Sequence, residues 1–338
     1  MQVIYSPDHA LHHPQAFLTS GVLRQSPEVP TRGDVLLASA RDAGHEIRAP
    51  KALGIEPAAS IHPPSYIHFL EHIHRRWRAL PNASEEVIPN VHPLRRSNSY
   101  PSSPIGQAGF HLGDTACPVG AGTYTAALAA THCAATAADL VLANHSVAYA
   151  LCRPPGHHAA QDVAGGFCFF NNSAIAAQRL RQTHSRVAIV DVDLHHGNGT
   201  QNIFYHRDDI LTASLHADPH AIYPFFWGHA HERGEDAGIG YNINAPLPVG
   251  SADQAFIAAL ESILEQVLAF SPGALVVALG LDASEHDPFG GLSLSTEGFA
   301  KVSQLLADLA LPTVLVQEGG YLCDALGDNL QAALSAFK

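Results

Sequence analysis

Basic residues are scarce in this chain. Eighteen Lys and Arg stand against 31 Asp and Glu, a formal net charge of −13 over 338 residues. A surface that grips nucleic acid or anionic lipid by charge alone needs clustered cations, so neither partner is expected. Cationic small molecules or basic peptides fit the balance better. Cysteine is sparse too: Cys117, Cys133, Cys152, Cys168 and Cys323 are odd in number and form no C-x-x-C pair. That disfavours a disulfide framework and points to a reducing cytoplasm. No apolar run approaches the ~20 residues that span a bilayer. The N-terminus, Met1–Ser6, shows no basic segment leading into an apolar one, so no secretion signal is expected. Fixed-period repeats and a Gly-, Ser- or Pro-rich linker are also missing, so residues 1–338 are expected to form one unit.

Hydrophobic residues make up 46% of the chain, enough for a sizeable core. Histidine is abundant: the 23 imidazoles outnumber Lys and Arg combined, and several are paired (His12-His13, His157-His158, His195-His196). Imidazole is a common metal ligand and the side chain that changes charge near neutral pH. A metal or proton-transfer site is therefore expected.

Helices are predicted at Arg32–Ala43, Ser65–Trp77, Thr123–Ala143, Asn172–Gln182, Asp253–Phe270, Thr296–Ala310 and Ala325–Phe337. Ser65 and Thr123 read as N-caps and Gly44 as a stop. Strands are predicted at Val3–Tyr5, Val147–Cys152, Val187–Val192, Ile210–Leu215, Ala274–Leu279 and Thr313–Val316. Most are unbroken apolar runs, the pattern of strands buried on both faces. Strand and helix alternate, which predicts an α/β fold: an open, mostly parallel sheet with helices on both faces. The Pro-rich stretch Pro81–Gly122 reads as a long ordered loop inserted at about 81–122, and Asp218–Gly240 as a second loop.

The apolar runs end in the same kind of place. They lead into Arg153-Pro154-Pro155-Gly156-His157-His158, Asp191-Val192-Asp193-Leu194-His195, Ser214-Leu215-His216, Leu281-Asp282 and Glu318-Gly319-Gly320-Tyr321. In an open parallel sheet the carboxyl ends of the strands share one edge, where ligands bind. Asp191, Asp193 and His195 alternate, so on an extended backbone they share one side. Two carboxylates and an imidazole there would desolvate badly without a cation. Asp193 and His195 with Asp282 would make a three-ligand site with an open position, the catalytic zinc arrangement. Fe(II) suits two carboxylates and one His as well. Solvated strand-end polar residues without metal are the plainer alternative. His157-His158 reads as a proton-transfer pair once it stands beside a metal. Tyr321, after a double glycine, could donate a hydrogen bond to a carbonyl oxygen as charge builds there. His62, His68, His72 and His74 read as surface residues.

These residues resemble the arginase–deacetylase fold, specifically its histone deacetylase and acetylpolyamine amidohydrolase branch. The resemblance rests on the segments quoted above and on Gly165-Gly166-Phe167-Cys168-Phe169-Phe170-Asn171-Asn172, His195-His196-Gly197-Asn198-Gly199-Thr200-Gln201 and Asp287-Pro288-Phe289-Gly290, collinear over nearly the whole chain. It implies zinc at Asp193, His195 and Asp282, His157 paired with Asp191, and His158 as general base and then acid. It further implies Tyr321 as carbonyl-polarising donor, a tunnel lined by Phe167, Gly166 and Tyr223, and Phe289 near the mouth. A structural potassium ion is implied at Asp191, Asp193, His195, Ser214 and Leu215. A second is implied at Phe204, Arg207, Ile210 and Tyr241. Asn198 departs from relatives that carry Asp there. An amide supplies a hydrogen bond without negative charge, which supports a lower His158 pKa.

The insertion, with Ile105–Phe110, resembles the acetylpolyamine amidohydrolases, in which such a segment supports a homodimer and narrows the active-site mouth. A zinc-dependent deacetylase of acetylated polyamines is therefore expected. Relatives can carry glutamate where Phe17 and Ile105 stand, so short acetylated diamines are expected over acetylspermine, with Asp114 a weak candidate for an acidic contact. A protein acetyl-lysine deacetylase is the rival reading. A two-metal manganese hydrolase of the arginase type would need further carboxylates, and an inactive acetyl-ligand or polyamine-binding protein would leave the catalytic set unused.

Overall fold

The structure, a computed structural model, describes residues 1–337 apart from Arg95, Ser97 and Asn98. Its strands are β1 (Gln2–Ile4), β2 (Ala16–Thr19), β3 (Val22–Gln25), β4 (Glu46–Arg48), β5 (Val147–Ala150), β6 (Val187–Asp191), β7 (Ile210–Ala217), β8 (Asn242–Leu247), β9 (Ala274–Leu279) and β10 (Thr313–Gln317). Eight of them form one sheet in the order β4–β1–β5–β10–β9–β6–β7–β8, parallel throughout. The remaining two, β2 and β3, pair as an antiparallel hairpin.

The helices are α1 (Pro30–Asp42), α2 (Glu56–Ala59), α3 (Pro64–Arg78), α4 (Pro104–His111), α5 (Thr123–Leu142), α6 (Asn172–Leu180), α7 (Asn198–Phe204), α8 (Asp253–Phe270), α9 (Thr296–Ala307) and α10 (Leu326–Leu334). Alternation along the strands divides the core in two. Val276, Val314, Val316 and Ile189 pack with α3, α5 and α6 on one face. Their neighbours Val277, Leu315 and Val190 pack with α1, α8, α9 and α10 on the other. Every residue of β5, β6, β7, β9 and β10 is buried, as the unbroken apolar runs predict. At ~1.5–3 kcal/mol per fully buried Val, Leu or Ile, these central strands carry the driving force for the sheet.

The structure corrects several expectations. The Pro81–Gly122 stretch is not loop throughout: it contains α4, capped by the Ser103 hydroxyl accepting from the Ile105 N–H. Within that stretch Arg95, Ser97 and Asn98 lie outside the described residues. Ser65 and Thr123 are not N-caps, because Pro63 and Gly122 take those positions. Gly44 does follow α1, in a left-handed conformation at φ +79°. The Ala-rich α5 is by length and composition apolar enough to cross a membrane, contrary to the expectation that no run approaches that length. Here it is mostly buried and packs on α6 and β5 as a core helix. His62 is not a surface residue. It is buried, hydrogen-bonded to the Gln161 carbonyl, and accepts from the Asn171 N–H at 2.9 Å.

Behind the strand ends lies a buried ionic knot. Glu28 meets Arg153 at 2.7 Å and Arg32 at 3.2 Å, and all three side chains are inaccessible. Arg153 also donates to the carbonyls of His9, His12 and Glu28, and Arg32 to those of Glu318 and Gly320. Glu28→Ala would strand two buried guanidinium groups, so we expect a loss of about 3–5 kcal/mol in urea denaturation. A loss under ~1 kcal/mol would show that water or rearrangement replaces the carboxylate.

Candidate active site

The C-terminal ends of β5, β6, β9 and β10 converge, because all four strands run parallel in adjacent positions. Chain segments far apart in sequence therefore deliver their polar residues to one edge. Asp193, His195 and Asp282 each present a ligand atom within 4.8 Å of the others. His195 Nδ1 lies 3.0 Å from Asp282 Oδ2 and 3.3 Å from Asp193 Oδ1. The other carboxylate oxygens are fixed by backbone: Gly319 N–H donates to Asp193 Oδ2 at 2.7 Å and Leu194 N–H to Asp282 Oδ1 at 3.0 Å. Glycine is required at 319, since a Cβ there would stand 2.3 Å from Asp282 Oδ2 and 2.5 Å from Asp193 Oδ2.

This cluster selects positive charge. Burial opposes an imidazolium at His195, yet its hydrogen bonds to the carboxylates of Asp193 and Asp282, with their charge, outweigh it and push the ring up to about 9. Two buried anionic oxygens and one imidazole nitrogen fit a divalent first-row metal, and the two carboxylates suit zinc or iron alike.

The two adjacent histidines are driven apart electrostatically. His157 Nδ1 is 2.9 Å from Asp191 Oδ2. Burial opposes its charge, but Asp191 and then Asp193 hold it well above the usual imidazole value. His158 Nδ1 is 2.7 Å from Asn198 Oδ1. Burial, then the charges of His157 and His195, hold His158 well below its usual value. One ring is thus cationic and the other neutral, a division of environments that suits acid–base work. Asn198 supplies orientation without a negative charge, in keeping with the amide's departure from Asp.

Above these groups opens a cavity of about 660 Å³. His157, His158, Gly166, Phe167, Asp193, His195, Tyr223, Phe289 and Tyr321 all line it. Gly166 has φ +51°, and a Cβ there would lie 2.4 Å from His158 Cδ2, so the wall passes tight against that ring. Phe167 and Phe289 have ring centroids 6.3 Å apart, and Tyr223 sits edge-on to His158 at 4.9 Å. Tyr321 is buried, its ring 4.7 Å from Phe289, and its N–H donates to Asp287 Oδ2 at 2.9 Å. Burial keeps its phenol protonated, well above the ordinary range, so it is a hydrogen-bond donor.

Other predicted residues fall outside the cavity lining. Asp282 and Asn198 stand behind His195 and His158. Asp191 and Ser214 are register partners on β6 and β7, with Leu215 next along the strand. Phe204, Arg207, Ile210 and Tyr241 gather near the start of β7, where Arg207 N–H donates to Phe204 O and Thr212 N–H to Tyr241 O. Ile105 lies on α4, exposed and outside the cavity lining.

Three contributors named in the sequence only within motifs or by resemblance take parts in the site that sequence reasoning missed. The β2–β3 hairpin rims the cavity with Phe17, Leu18, Thr19 and Ser20, and Phe17 meets Phe167 edge-on at 5.7 Å. Glu318 accepts from Gly156 N–H, His157 N–H and Ser173 Oγ–H, clamping the histidine turn to β10. Burial pushes its carboxyl up to about 7, against the opposing charge of His157. Asp287 clamps Tyr321 N–H and Phe289 N–H in the same way. Only the clustering of acidic residues at strand ends hinted at these roles.

The Histone deacetylase domain family matches residues 26–337, and the chain belongs to that family. Within it the similarity is to acetylpolyamine amidohydrolases. The chain is 44% identical to the acetylpolyamine amidohydrolase of Burkholderia pseudomallei, over 100% of this chain and 98% of that one. It is 42% identical to acetylpolyamine amidohydrolase 1 of Pseudomonas aeruginosa, over 100% and 99%. A crystal structure of acetylpolyamine aminohydrolase from Burkholderia pseudomallei superposes with a TM-score of 0.97 at 43% identity, covering 100% of this chain and 98% of that one. The sheet and its helices are thus an arginase–deacetylase fold, as expected from the sequence.

Asp114 is committed to the cavity wall. Its carboxylate accepts from Tyr223 Oη–H at 2.8 Å, Gly166 N–H at 2.9 Å and Ala116 N–H at 2.8 Å. Asp114→Ala would leave these donors without their acceptor. We expect a stability loss of about 1–3 kcal/mol in urea denaturation, and an unchanged midpoint would show that water takes over the carboxylate's place.

Proposed function

We propose that this chain is a zinc-dependent amidohydrolase that removes acetyl groups from acetylated polyamines, with short diamines such as acetylputrescine and acetylcadaverine preferred. The observation that carries this reading is the meeting, at the base of one cavity, of a three-donor cluster of two carboxylates and an imidazole that could hold a metal ion with a neutral imidazole beside it. The polyamine substrate rests on the relatives' names, the net charge of −13 and a cavity walled by Phe167, Tyr223 and Phe289 that suits a slim aliphatic stem.

Zinc, held by Asp193, His195 and Asp282, would polarise the acetamide carbonyl and acidify a water; ferrous iron would fit the same donors. The chain's own groups do the rest. His158 has Nδ1 engaged by Asn198, which leaves Nε2 to take the proton of the attacking water. Burial, and then the charge that Asp191 holds on His157, keep His158 neutral and ready as base. The Tyr321 hydroxyl donates to the carbonyl oxygen as negative charge builds there. His158 then passes its proton to the leaving nitrogen as the C–N bond breaks, giving acetate and the free amine. Structural potassium is proposed at Asp191, Asp193, His195, Ser214 and Leu215. A second potassium is proposed at Phe204, Arg207, Ile210 and Tyr241. The same reading takes residues 1–338 as one catalytic unit that works as a cytoplasmic homodimer.

Two measurements test it. Tyr321→Phe should fold and keep its metal while turnover falls on the order of 10²–10³, the cost of one oxyanion donor. A variant within a few-fold of wild type would reduce Tyr321 to packing. The substrate follows from kcat/KM across acetylputrescine, acetylcadaverine, acetylspermine and an acetyl-lysine peptide. The diamines are expected to lead. A tenfold preference for the peptide, ~1.4 kcal/mol at the transition state, would make the protein a lysine deacetylase instead.

A further inference from the structure

A second group of metal-ligand side chains stands on the surface helix α3, outside the cavity. The sequence His68-Phe69-Leu70-Glu71-His72 puts two imidazoles one turn apart and a carboxylate between them. On an α-helix, positions i, i+3 and i+4 share a face. Each of the three offers a ligand atom within 4.8 Å of the others. The two rings have centroids 4.2 Å apart, and His72 Nδ1 lies 3.7 Å from Glu71 Oε2. Exposure does not make the group loose. The opposite face of α3, with Tyr66, Phe69, Leu70, Ile73 and Trp77, is buried, and Tyr66 Oη–H donates to Phe169 O at 2.7 Å. The backbone carrying the three donors is therefore fixed before any ligand arrives, which removes much of the ordering cost of binding.

Local charge leaves the group available. Among the described residues no Lys or Arg is ion-paired with Glu71. Of the three arginines on the last turn of α3, Arg76 donates to Gln107 and Ser102 and Arg78 to Glu85, while Arg75 stands one turn on from Glu71 and His72 without an ion pair to Glu71.

We infer that His68, Glu71 and His72 form a second, solvent-accessible site for a divalent first-row transition metal of the nickel, copper or zinc kind. Two imidazole nitrogens favour these borderline ions over Mg²⁺ or Ca²⁺, which prefer all-oxygen shells. Paired histidines at i and i+4 are an established helical way of holding such an ion. Water would complete the coordination. This site is independent of the proposed catalytic chemistry, since it shares no residue with the cavity.

The test is equilibrium dialysis against Ni²⁺ with metal analysis, on protein whose active-site metal is already loaded. Wild type should take up one more equivalent per chain than His68→Ala/His72→Ala, which removes only exposed or half-exposed side chains. Glu71→Gln should keep the extra equivalent at reduced affinity. His220→Ala, in another surface histidine group, should bind like wild type. Ni²⁺ should also raise the melting temperature of wild type and not of the double variant, because an ion that binds only the folded helix stabilises it. Equal uptake by wild type and the double variant at every Ni²⁺ concentration would overturn the inference. So would loss of the extra equivalent in His220→Ala with retention in the double variant.

Discussion

Two carboxylates, Asp193 and Asp282, are buried side by side at the end of a parallel sheet, and the rest of the site is arranged around their charge. Unpaired anions in such surroundings would be very costly. Backbone N–H groups of Gly319 and Leu194 take one oxygen of each. His195 supplies the nearest positive charge within the chain, and a divalent cation would serve the same need more fully. The cluster's pull on protons also explains the contrast between the adjacent histidines. Asp191 and Asp193 hold His157 cationic, and that charge together with burial keeps His158 neutral.

Holding this arrangement takes a further layer of buried polar groups. Glu318 ties the His157 turn to β10, Asp287 ties Tyr321 to the Phe289 turn, and Asp114 ties Tyr223 to Gly166. Arg32 reaches the carbonyls of Glu318 and Gly320, so the Glu28–Arg32–Arg153 knot supports the Gly-Gly-Tyr segment from behind. Glu318 and Asp287 do this from behind the cavity lining, and Asp114 does it from within the wall. Rigidity of this kind keeps reacting groups within the narrow geometry that proton transfer needs.

The central strands were legible because a strand covered on both faces has no polar positions to interrupt it. Ala274–Leu279 and Asp253–Phe270 agree with the structure residue for residue. Edge and exceptional strands were not legible. In β8, Asn242 and Asn244 break the apolar run, and their burial is made tolerable only by Gln201, Thr212 and Glu232 from elsewhere in the chain. The strand β4 has three residues, and the β2–β3 hairpin carries little apolar patterning beyond its cavity face. Within the site, the residues at strand ends could be anticipated because topology alone gathers them. His62 could not, and Phe17 and Asp114 were reached only through the family resemblance, since their places depend on how long connections fold back. His62 shows the difficulty well: beside the exposed histidines of α3 its sequence context looks the same, yet it is a buried acceptor for Asn171.

The most direct measurement is anomalous diffraction at a metal absorption edge, on crystals of protein purified with stoichiometric metal. The strongest peak should lie among Asp193 Oδ, His195 Nδ1 and Asp282 Oδ2, within the ~2.0–2.2 Å bonding range for those donors. A strongest peak elsewhere, or one coordinated by His157 or His158, would contradict the central claim that the two buried carboxylates exist to hold the catalytic cation.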